Sequence, residues 1–404
     1  MTKSMLNNNY LFLGGFFPQQ LIEEIHINSK GHIQNAADAL QKNFITGLES
    51  HLEPDKISFL TAPFIGAYPG RYKKIHLKSI NFSNNGKSIS ILNLLFIKHF
   101  FIRSNLKKNI ESWCSKNSGT KTIIIYSIQP DFIKAVVSIK NKFPKLKICQ
   151  IVPDLYEYME VPKGFLYKIS KIINTISIKK YYQYIDYYVL LSKYMVSKLP
   201  IKSQPWLIIE GIFNKEKDFE FNKQARHKLI VYTGSLAKRY GIVNLIESFK
   251  HINNKEIELI ICGDGDAKEI VQKAAIEDKR IIFKGNVTRE YALSLQRRAL
   301  LLINPRTPEG EFTKYSFPSK IMEYFASGTP TLMYKLPGIP DEYFDFCFTI
   351  SDLSISALAI RISEIIEIDP SKLREIGTKA QNFVFSKKNP NIQCKKILNL
   401  FSEY

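Results

Sequence analysis

The chain has 404 residues, of which 45% are hydrophobic and 23% are charged. This composition excludes disordered, collagen-like and disulfide-scaffold proteins, and the length suits two domains. The formal net charge is +20, and it is uneven, because residues 1–200 hold 27 basic and 12 acidic side chains while residues 201–404 hold 30 and 25. The first half therefore calls for a polyanionic partner or an anionic membrane surface.

Short apolar runs alternate with helical patterns along the first half, a pattern typical of parallel sheets built from βαβ units. The predicted strands are 10–13, 57–60, 122–127, 147–152, 187–191 and 206–209, and the predicted helices are 33–48, 131–142 and 165–184.

The second half repeats this plan, and two final helices are broken at Pro390, which can begin but not continue a helix. Strands are predicted at 228–232, 258–262, 281–284, 300–303 and 331–333, and helices at 242–250, 267–275, 289–298 and 319–327. We predict an α/β fold with two Rossmann-like domains and a ligand cleft between them. The predicted boundaries are a first domain at 1–211, a linker at 212–227, a second domain at 228–385 and a C-terminal helix at 386–404 that packs back on the first domain.

Membrane-spanning and disulfide-bonded classes are not supported. No apolar run reaches the roughly 18 to 20 residues that cross a bilayer, and the N-terminus lacks a basic start followed by an apolar signal core. The five cysteines are far apart and form no Cys-x-x-Cys pair, which predicts reduced thiols and no zinc site. We expect a cytoplasmic protein.

A glycine-bounded turn, Gly234 to Gly241, joins the first strand of the second half to a helix. Its backbone N–H groups, the positive end of the helix and the side chains of Lys238 and Arg239 suit an anion such as a diphosphate. A plain strand-to-helix connection is the alternative for these residues alone.

The next strand is followed by the sequence Cys-Gly-Asp-Gly-Asp at 262–266. No third glycine completes a dinucleotide fingerprint at the required spacing. Asp264 and Asp266 lie on a tight turn that becomes a helix, so we expect them to be caps rather than ligands of a divalent metal.

The polar loop after residue 303 leads into a short helix that ends at Gly328. Ser319 can cap this helix, and Lys320 in its first turn opposes the helix dipole unless an anion lies nearby. The carboxylate of Glu323 can accept hydrogen bonds from two vicinal hydroxyls, such as those of a ribose. A solvated Lys320 and a Glu323 that only faces polar loop are the alternative.

Four stretches, 234–242, 262–265, 283–287 and 317–330, resemble the retaining glycosyltransferases of family 4 in their order and spacing. These enzymes have the GT-B fold, and the resemblance is strongest over residues 228–335. Residues 13–18, 34–37 and 153–155 also resemble bacterial members that build capsular or exopolysaccharide chains. The resemblance implies a nucleotide-diphospho-sugar donor bound by the second domain and an acceptor bound by the first.

The resemblance also implies roles for single residues. Glu323 matches the second glutamate of the family's Glu-x7-Glu motif, which binds the donor ribose. The first glutamate would fall at Tyr315, so Glu309 or Glu311 is the candidate replacement for a contact with the donor sugar. The family's diphosphate-binding Gly-Arg and Lys-Gly pairs are also altered here, which leaves four cations as candidates: Lys238, Arg239, Arg306 and Lys320.

The resulting donor site comprises Gly234, Ser235, Lys238, Gly263, Asn286, Val287, Arg306, Ser319 and Glu323, and the candidate catalytic residues are Arg239, Lys320, Asp154 and Glu311. Departure of a diphosphate builds negative charge that cationic side chains and helix N-termini can stabilise, so we predict no metal and no cofactor. No two carboxylates can be assigned as a glycosidase-like nucleophile and acid/base. The retaining outcome is therefore implied only by the resemblance.

Four residues are candidates on the acceptor side of the reaction. The pair Gly14-Gly15 follows the first strand and permits close backbone approach. Asp154 follows a strand end, where binding groups often lie, and His32 stands at the start of a helix. A helix cap is the alternative for both Asp154 and His32.

Two acid-free stretches carry much of the positive charge. Residues 56–110 hold ten basic side chains, and the strongly apolar part at 91–110 gathers cations toward its end; residues 161–185 mix five lysines with Tyr, Phe and Ile. Both are typical of basic amphipathic segments on an anionic bilayer, with core helices that carry solvated lysines as the alternative. No nucleic-acid-binding motif is present, so we predict no nucleic-acid partner.

The sequence therefore predicts a cytoplasmic glycosyltransferase, peripheral on the inner face of the membrane, that adds a sugar to a lipid-linked glycan in bacterial surface polysaccharide synthesis. Two alternatives stay open. One is a GT-B module that binds nucleotide-sugars or partner enzymes without turnover, and the other is a nucleotide-sugar epimerase of similar architecture.

Overall fold

The computed structural model describes residues 8–31, 33–83, 85–95, 97–158, 165–215 and 228–403. These residues form two compact units. The first contains the described residues up to Ile212 and those from Pro390 onward, and the second runs from Phe213 to Asn389. Residues 216–227, most of the predicted linker, lie outside the described part of the chain.

The first unit is built on a sheet whose strand order is β10-β9-β8-β7-β1-β2-β5-β4, with every neighbouring pair parallel except β4 and β5. The strands are β1 (Asn8–Gly14), β2 (Ile57–Thr61), β3 (His76–Leu77), β4 (Ile80–Phe82), β5 (Gly86–Ser88), β6 (Ile91–Leu92), β7 (Thr120–Tyr126), β8 (Leu146–Val152), β9 (Tyr187–Leu190) and β10 (Trp206–Ile208). The helices before Ile212 are α1 (Ile22–Asn28), α2 (Asn35–Glu49), α3 (Lys98–Lys116), α4 (Pro130–Lys140) and α5 (Phe165–Lys179).

The second unit has a parallel sheet in the order β13-β12-β11-β14-β15-β16. Its strands are β11 (Leu229–Thr233), β12 (Glu258–Cys262), β13 (Ile281–Gly285), β14 (Leu301–Asn304), β15 (Thr331–Tyr334) and β16 (Phe348–Ile350). Its helices are α6 (Ile242–Lys250), α7 (Lys268–Glu277), α8 (Arg289–Arg298), α9 (Lys320–Ala326), α10 (Ile355–Ile366) and α11 (Pro370–Lys387). The strand order reverses between β11 and β14, and ligands of such sheets bind at the carboxyl ends of the strands beside this point.

The last helix, α12 (Pro390–Glu403), belongs to the first unit, where it packs on α2. Gly47 of α2 makes this approach possible, because a Cβ at that position would lie 2.3 Å from the carbonyl oxygen of Pro390. The buried thiol of Cys394 donates to the carbonyl oxygen of Phe44 at 3.4 Å. Apolar side chains from α12 thus complete one side of the core around β1.

The predicted fold class is confirmed, since both halves are Rossmann-like α/β units with parallel sheets. The prediction of one amphipathic segment at 91–110 is wrong, because β6 occupies Ile91–Leu92 and α3 begins only at Lys98. The short strands from β3 to β6 were not predicted, because strands of two or three residues carry no readable alternation.

Candidate functional site

Three glycines stand at the carboxyl ends of β11, β12 and β13, and each has a positive φ: Gly234 at 141°, Gly263 at 143° and Gly285 at 66°. The N–H of Gly234 donates to the carbonyl oxygen of Cys262 at 2.9 Å, and that of Gly263 donates to the oxygen of Gly285 at 2.7 Å. A Cβ on Gly263 would lie 1.8 Å from the oxygen of Gly234. Backbone packing therefore requires glycine at position 263, and the positive φ angles favour it at 234 and 285.

The ammonium group of Lys320 lies beside this glycine edge. A Cβ on Gly234 would stand 2.5 Å from Nζ of Lys320, and the same Nζ is 4.0 Å from the ring centroid of Tyr232. Removal from water, together with the charge of Arg306, lowers the pKa of Lys320 to about 7, while the charge of Glu323 opposes the change. Lys320 is therefore a cation whose positive charge is incompletely balanced by its protein surroundings.

Arg306 follows β14, on the other side of the point where the strand order reverses. Its side chain is buried, with 6% exposed, and Nη2 donates to Oγ of Ser316 at 2.8 Å. Its Nε is buried without a hydrogen-bond partner among the described residues. Burial lowers the pKa of Arg306, and the charge of Arg239 acts in the same direction. A buried donor of this kind suits an anion that arrives with a ligand.

Two aromatic rings hold both guanidinium groups. The guanidinium carbon of Arg306 lies 4.9 Å from the ring centroid of Tyr240 and 4.6 Å from that of Phe312. For Arg239 the corresponding distances are 5.2 Å and 5.7 Å. Cation–π contacts fix the two charges against shared rings. Together with Lys320 they form the cation cluster, defined here as Arg239, Arg306 and Lys320.

Glu323 lies in the first turn of α9 and pairs with an arginine that the sequence did not single out. Nε of Arg289, at the start of α8, is 3.2 Å from Oε1 of Glu323. The next residue, Tyr324, accepts the N–H of Thr233 at 3.0 Å and thereby ties α9 to the end of β11. Glu323 is thus held between two elements at the carboxyl edge of the sheet.

The loop at 309–315 contains Tyr315 at the position of the expected first glutamate. The Tyr315 hydroxyl donates to Oε1 of Glu311 at 3.0 Å. Oε2 of Glu309 instead accepts a hydrogen bond from Oγ1 of Thr307 at 2.9 Å. Of the two candidate replacements, Glu311 is therefore the one joined to position 315.

Asp266 accepts the backbone N–H of Lys238 at 2.7 Å, so its carboxylate binds the turn after β11. The expected cap of its own helix is wrong, because Ala267 stands at the N-cap position of α7 and makes no side-chain capping bond. Ser235 is exposed, and its carbonyl oxygen accepts the hydroxyl of Tyr232 at 2.6 Å. The predicted side-chain cap by Ser319 is wrong. Its backbone already has helical angles, with φ −53° and ψ −28°, and its hydroxyl makes no capping hydrogen bond.

The turn after β13 presents two different side chains. Asn286 is exposed, whereas Val287 packs against a buried cluster that includes Val231 and Ile260. The backbone of this turn and the side chain of Asn286 are therefore the groups that can contact a nucleotide base, because the side chain of Val287 packs in the core.

In the first unit, the glycine pair after β1 is enclosed by protein. The N–H of Gly15 donates to Oε1 of Gln41 at 2.7 Å. A Cβ on Gly14 would lie 2.2 Å from that oxygen, and a Cβ on Gly15 would lie 2.1 Å from the ring of Phe64. Close packing of Gln41 and Phe64 accounts for both glycines within the protein, and their part in acceptor binding stays a prediction.

Asp154 follows β8, and partial removal of its carboxyl from water raises the pKa of that group to about 6. Its charge also contributes to the raised pKa of Tyr126 at the end of β7, where burial is the larger cause. Asp154 therefore lies near the carboxyl edge where β7 and β8 end. His32 lies outside the described residues.

Of the fifteen cations in the two acid-free stretches, four lie on α3 and three on α5. The prediction that Lys98 belongs to a membrane-facing surface is wrong, because the residue is buried and its Nζ donates to the carbonyl oxygen of Ile65 at 2.7 Å. Burial lowers the pKa of this lysine to about 8. Lys107 and Lys108 are exposed and Arg103 is partly exposed, so these three remain available to a surface.

Neither a metal-binding group of side chains nor a membrane-spanning helix occurs in the described residues. No three His, Cys, Asp or Glu side chains in these residues are grouped so that they could hold a metal ion. Within the same ranges, every helix is too short or too polar to cross a membrane.

Comparison with known proteins adds a family match and a fold. Residues 213–383 match the family described as "Glycosyl transferases group 1". Sucrose-phosphate synthase from Thermosynechococcus elongatus superposes with a TM-score of 0.63 at 15% identity, over 98% of both chains. A comparison with curated proteins finds no significant match.

Two further structures align with this chain over 98% of its length and over 100% of their own length. Anabaena HepE, solved in complex with UDP, gives a TM-score of 0.62 at 12% identity. A lipopolysaccharide outer core galactosyltransferase in its apo form gives 0.60 at 13% identity. The chain therefore has the GT-B fold, and the match to the group 1 glycosyltransferases lies within its second unit.

Proposed function

We propose that the protein transfers a sugar from a nucleotide-diphospho-sugar to a lipid-linked glycan at an anionic membrane surface, during bacterial surface polysaccharide synthesis. The reaction retains the anomeric configuration of the sugar and needs neither a metal nor a cofactor. The group 1 domain and the GT-B fold support sugar transfer in general.

The observation that carries the proposal is the cation cluster at the carboxyl edge of β11 and β14. Two guanidinium groups on shared rings and an ammonium group beside a bare glycine edge offer donors from several directions. Arginine is suited to bidentate binding of phosphate oxygens. A bound diphosphate gives the buried Nε of Arg306 a hydrogen-bond acceptor. Its negative charge also favours the protonated form of Lys320, whose pKa is lowered in the free protein.

These side chains also suit the chemistry. When the bond from the sugar to the diphosphate breaks, negative charge grows on the leaving oxygen. Protonated Lys320 and the two arginines stabilise that charge without rearranging, which is the largest single contribution in many enzymes. Glu323, held by Arg289, accepts the ribose hydroxyls, and Glu311, held by Tyr315, accepts hydroxyls of the sugar.

Uridine is the nucleoside we propose for the donor, because UDP is the ligand named for the Anabaena neighbour of the same fold. A glycan acceptor is supported by the neighbour that acts on the lipopolysaccharide outer core. In the first unit, Asp154 provides a carboxyl that is largely ionised at neutral pH and can accept a hydrogen bond from an acceptor hydroxyl.

The membrane surface is supported by α3 and α5, both of which contact α4. At the start of α3, Phe100 and Phe101 are 63% and 38% exposed, and Ile97 just before it is 41% exposed. The exposed Lys107 and Lys108 follow on the same helix. Exposed aromatic and aliphatic side chains beside cations suit an anionic bilayer, which fits a cytoplasmic protein peripheral on the inner face of the membrane.

Calorimetric titration tests the donor site. UDP should bind the full-length protein, and uridine should bind far more weakly, because the cation cluster acts on the diphosphate. Arg306→Met should weaken UDP binding by on the order of 10- to 100-fold, from 1.5–3 kcal/mol for a lost charged hydrogen bond, with little change for uridine. Lys273→Met, which changes an exposed cation on α7, is the matched control. Equal affinity for UDP and uridine would remove the cluster from the donor site.

A further inference from the structure

A pocket of about 280 Å³ lies in the first unit, between the segment after β8 and the second half of α5. Apolar side chains form part of its wall. Its polar lining comes from three segments: Tyr156, Glu157, Thr175, Lys179, Tyr182 and Lys198. None of these residues has a place in the donor site described above.

The lining combines cations, a carboxylate and hydroxyl-bearing rings. Lys179 and Lys198 are both exposed. Burial raises the pKa of Tyr182, and the charge of Glu157 raises it further, so Glu157 stands close to that ring. A pocket with an apolar wall, two ammonium groups and a hydrogen-bond acceptor suits an anionic ligand that also carries hydroxyl groups.

The outer face of α5 carries an isoleucine stripe, defined as Ile172, Ile173 and Ile176, which are 61%, 60% and 66% exposed. At 100° per residue, Lys179 lies within about 60° of Ile172 and Ile176 on the helix surface, and Thr175 is the next position round. The pocket residues of α5 therefore directly adjoin the stripe. A surface that covers the stripe therefore also lies beside Thr175 and Lys179, two residues that line the pocket.

The charge around the stripe favours an anionic lipid surface. Lys179 ends the helix and Lys180 follows it, and both are exposed. The pKa of Lys134 on α4 is lowered by desolvation and by the charges of Arg103 and Lys180, while Asp131 opposes this change, so Arg103 of α3 and Lys180 after α5 both lie within range of Lys134. Exposed isoleucines beside such a group of cations match the headgroup region of an anionic bilayer.

We infer that this pocket binds the phosphate headgroup of a membrane lipid while the isoleucine stripe rests in the bilayer surface. Lys179 and Lys198 hold the phosphate, and Glu157 accepts a headgroup hydroxyl. The inference rests on the proposed function, because a lipid-linked glycan presents the same chemistry, a lipid phosphate next to hydroxyl-rich sugar. The phosphate can belong to a phospholipid or to the acceptor itself.

Vesicle flotation with the full-length protein separates these sources. The probes are phosphatidylcholine vesicles that contain either phosphatidylglycerol or polyprenyl phosphate. Lys179→Gln with Lys198→Gln should weaken binding by about fivefold per lysine. Thr175→Trp fills the pocket without changing charge and should weaken binding to the same vesicles. Lys116→Gln with Lys145→Gln, two exposed lysines before β7 and β8, is the control.

Loss in the pocket variants for polyprenyl phosphate alone assigns the pocket to the acceptor, and loss for both lipids assigns it to membrane phosphates in general. Vesicle binding like that of the unaltered protein in both pocket variants overturns the inference. So does an equal loss in the control pair, or no vesicle binding by the unaltered protein. UDP affinity, measured on the same variants, should not change; normal UDP binding with unaltered vesicle binding leaves the donor site intact and rejects only the pocket.

Discussion

The hydroxyl of Tyr315 donates a hydrogen bond to Oε1 of Glu311, 3.0 Å away, so position 315 holds a carboxylate instead of supplying one. The resemblance to family 4 places a glutamate at this position. In this chain a neighbour in the same 3₁₀ turn, Glu311–Tyr315, brings the carboxylate, and the tyrosine fixes its orientation.

This pair predicts a residue exchange. Glu311→Ala should lower kcat/KM by on the order of 10- to 100-fold, from the loss of a charged hydrogen bond to the donor sugar. Tyr315→Phe should lower it by about fivefold, and Tyr315→Glu should restore activity to the Glu311→Ala protein. Glu309→Gln is the control, because Glu309 is engaged by Thr307. A Glu311→Ala protein with full activity, or one that Tyr315→Glu does not improve, would contradict this role.

Lys320 predicts a pH dependence of donor binding. The free protein loses this proton above about pH 7, whereas a bound diphosphate retains it. Affinity should be level below this pH and fall toward about tenfold per pH unit above it, with uptake of a proton at about pH 8. Calorimetry in two buffers of different ionisation enthalpy measures that uptake. Lys320→Arg keeps its charge and should abolish the pH dependence; a protein without proton uptake would not hold the diphosphate at Lys320.

The pair of Arg289 and Glu323 predicts two distinguishable losses. Glu323→Ala should weaken binding of UDP by about 1–3 kcal/mol, because charged hydrogen bonds to the ribose are lost. Arg289→Gln should cost less, since it leaves the carboxylate in place and removes only its neighbour. Titration with UDP and with its 2′-deoxy analogue checks both. If Glu323→Ala discriminates between these two ligands as the unaltered protein does, Glu323 does not contact the 2′-hydroxyl.

The acid-free stretch contains lysines with different tasks. Lys98→Met should lower the free energy of unfolding by on the order of 1–3 kcal/mol, because the carbonyl oxygen of Ile65 loses its donor. Replacing Arg103, Lys107 and Lys108 by Gln should leave stability nearly unchanged and reduce binding to anionic vesicles by about fivefold per cation. Urea unfolding and vesicle flotation measure the two effects. If the triple variant bound vesicles as well as the unaltered protein, or if it lost stability instead, the surface of α3 would not face the membrane.

The sequence predicted the strands and helices that have a clear apolar pattern, either a period or a continuous run. The long strand β7 was expected at 122–127 and occurs at Thr120–Tyr126, because a continuous run of buried residues identifies it. The prediction for 91–110 was wrong because its apolar residues belong to two different elements, a two-residue strand and a helix that begins at a buried lysine. Composition alone does not show where one element ends inside such a run.

Within the site, motif spacing identified Lys320 and Glu323. It did not identify their partners, because Arg289 lies 34 positions from Glu323 and meets it only where two strand ends converge. The rings of Tyr240 and Phe312 were missed for the same reason. Aromatic residues in loops carry no period, and their contact with Arg306 depends on the order of the strands.

The most direct test is release of nucleoside diphosphate from a panel of nucleotide-sugars, measured with and without a polyprenyl-diphosphate-linked glycan. The account predicts that UDP is released from one UDP-sugar, that release rises strongly with the lipid acceptor, and that the acceptor gains one sugar by mass. Donor binding without release for every pair would indicate a binding module. Conversion of the donor to an epimer without any acceptor would indicate an epimerase, and either result would contradict the transfer proposed here.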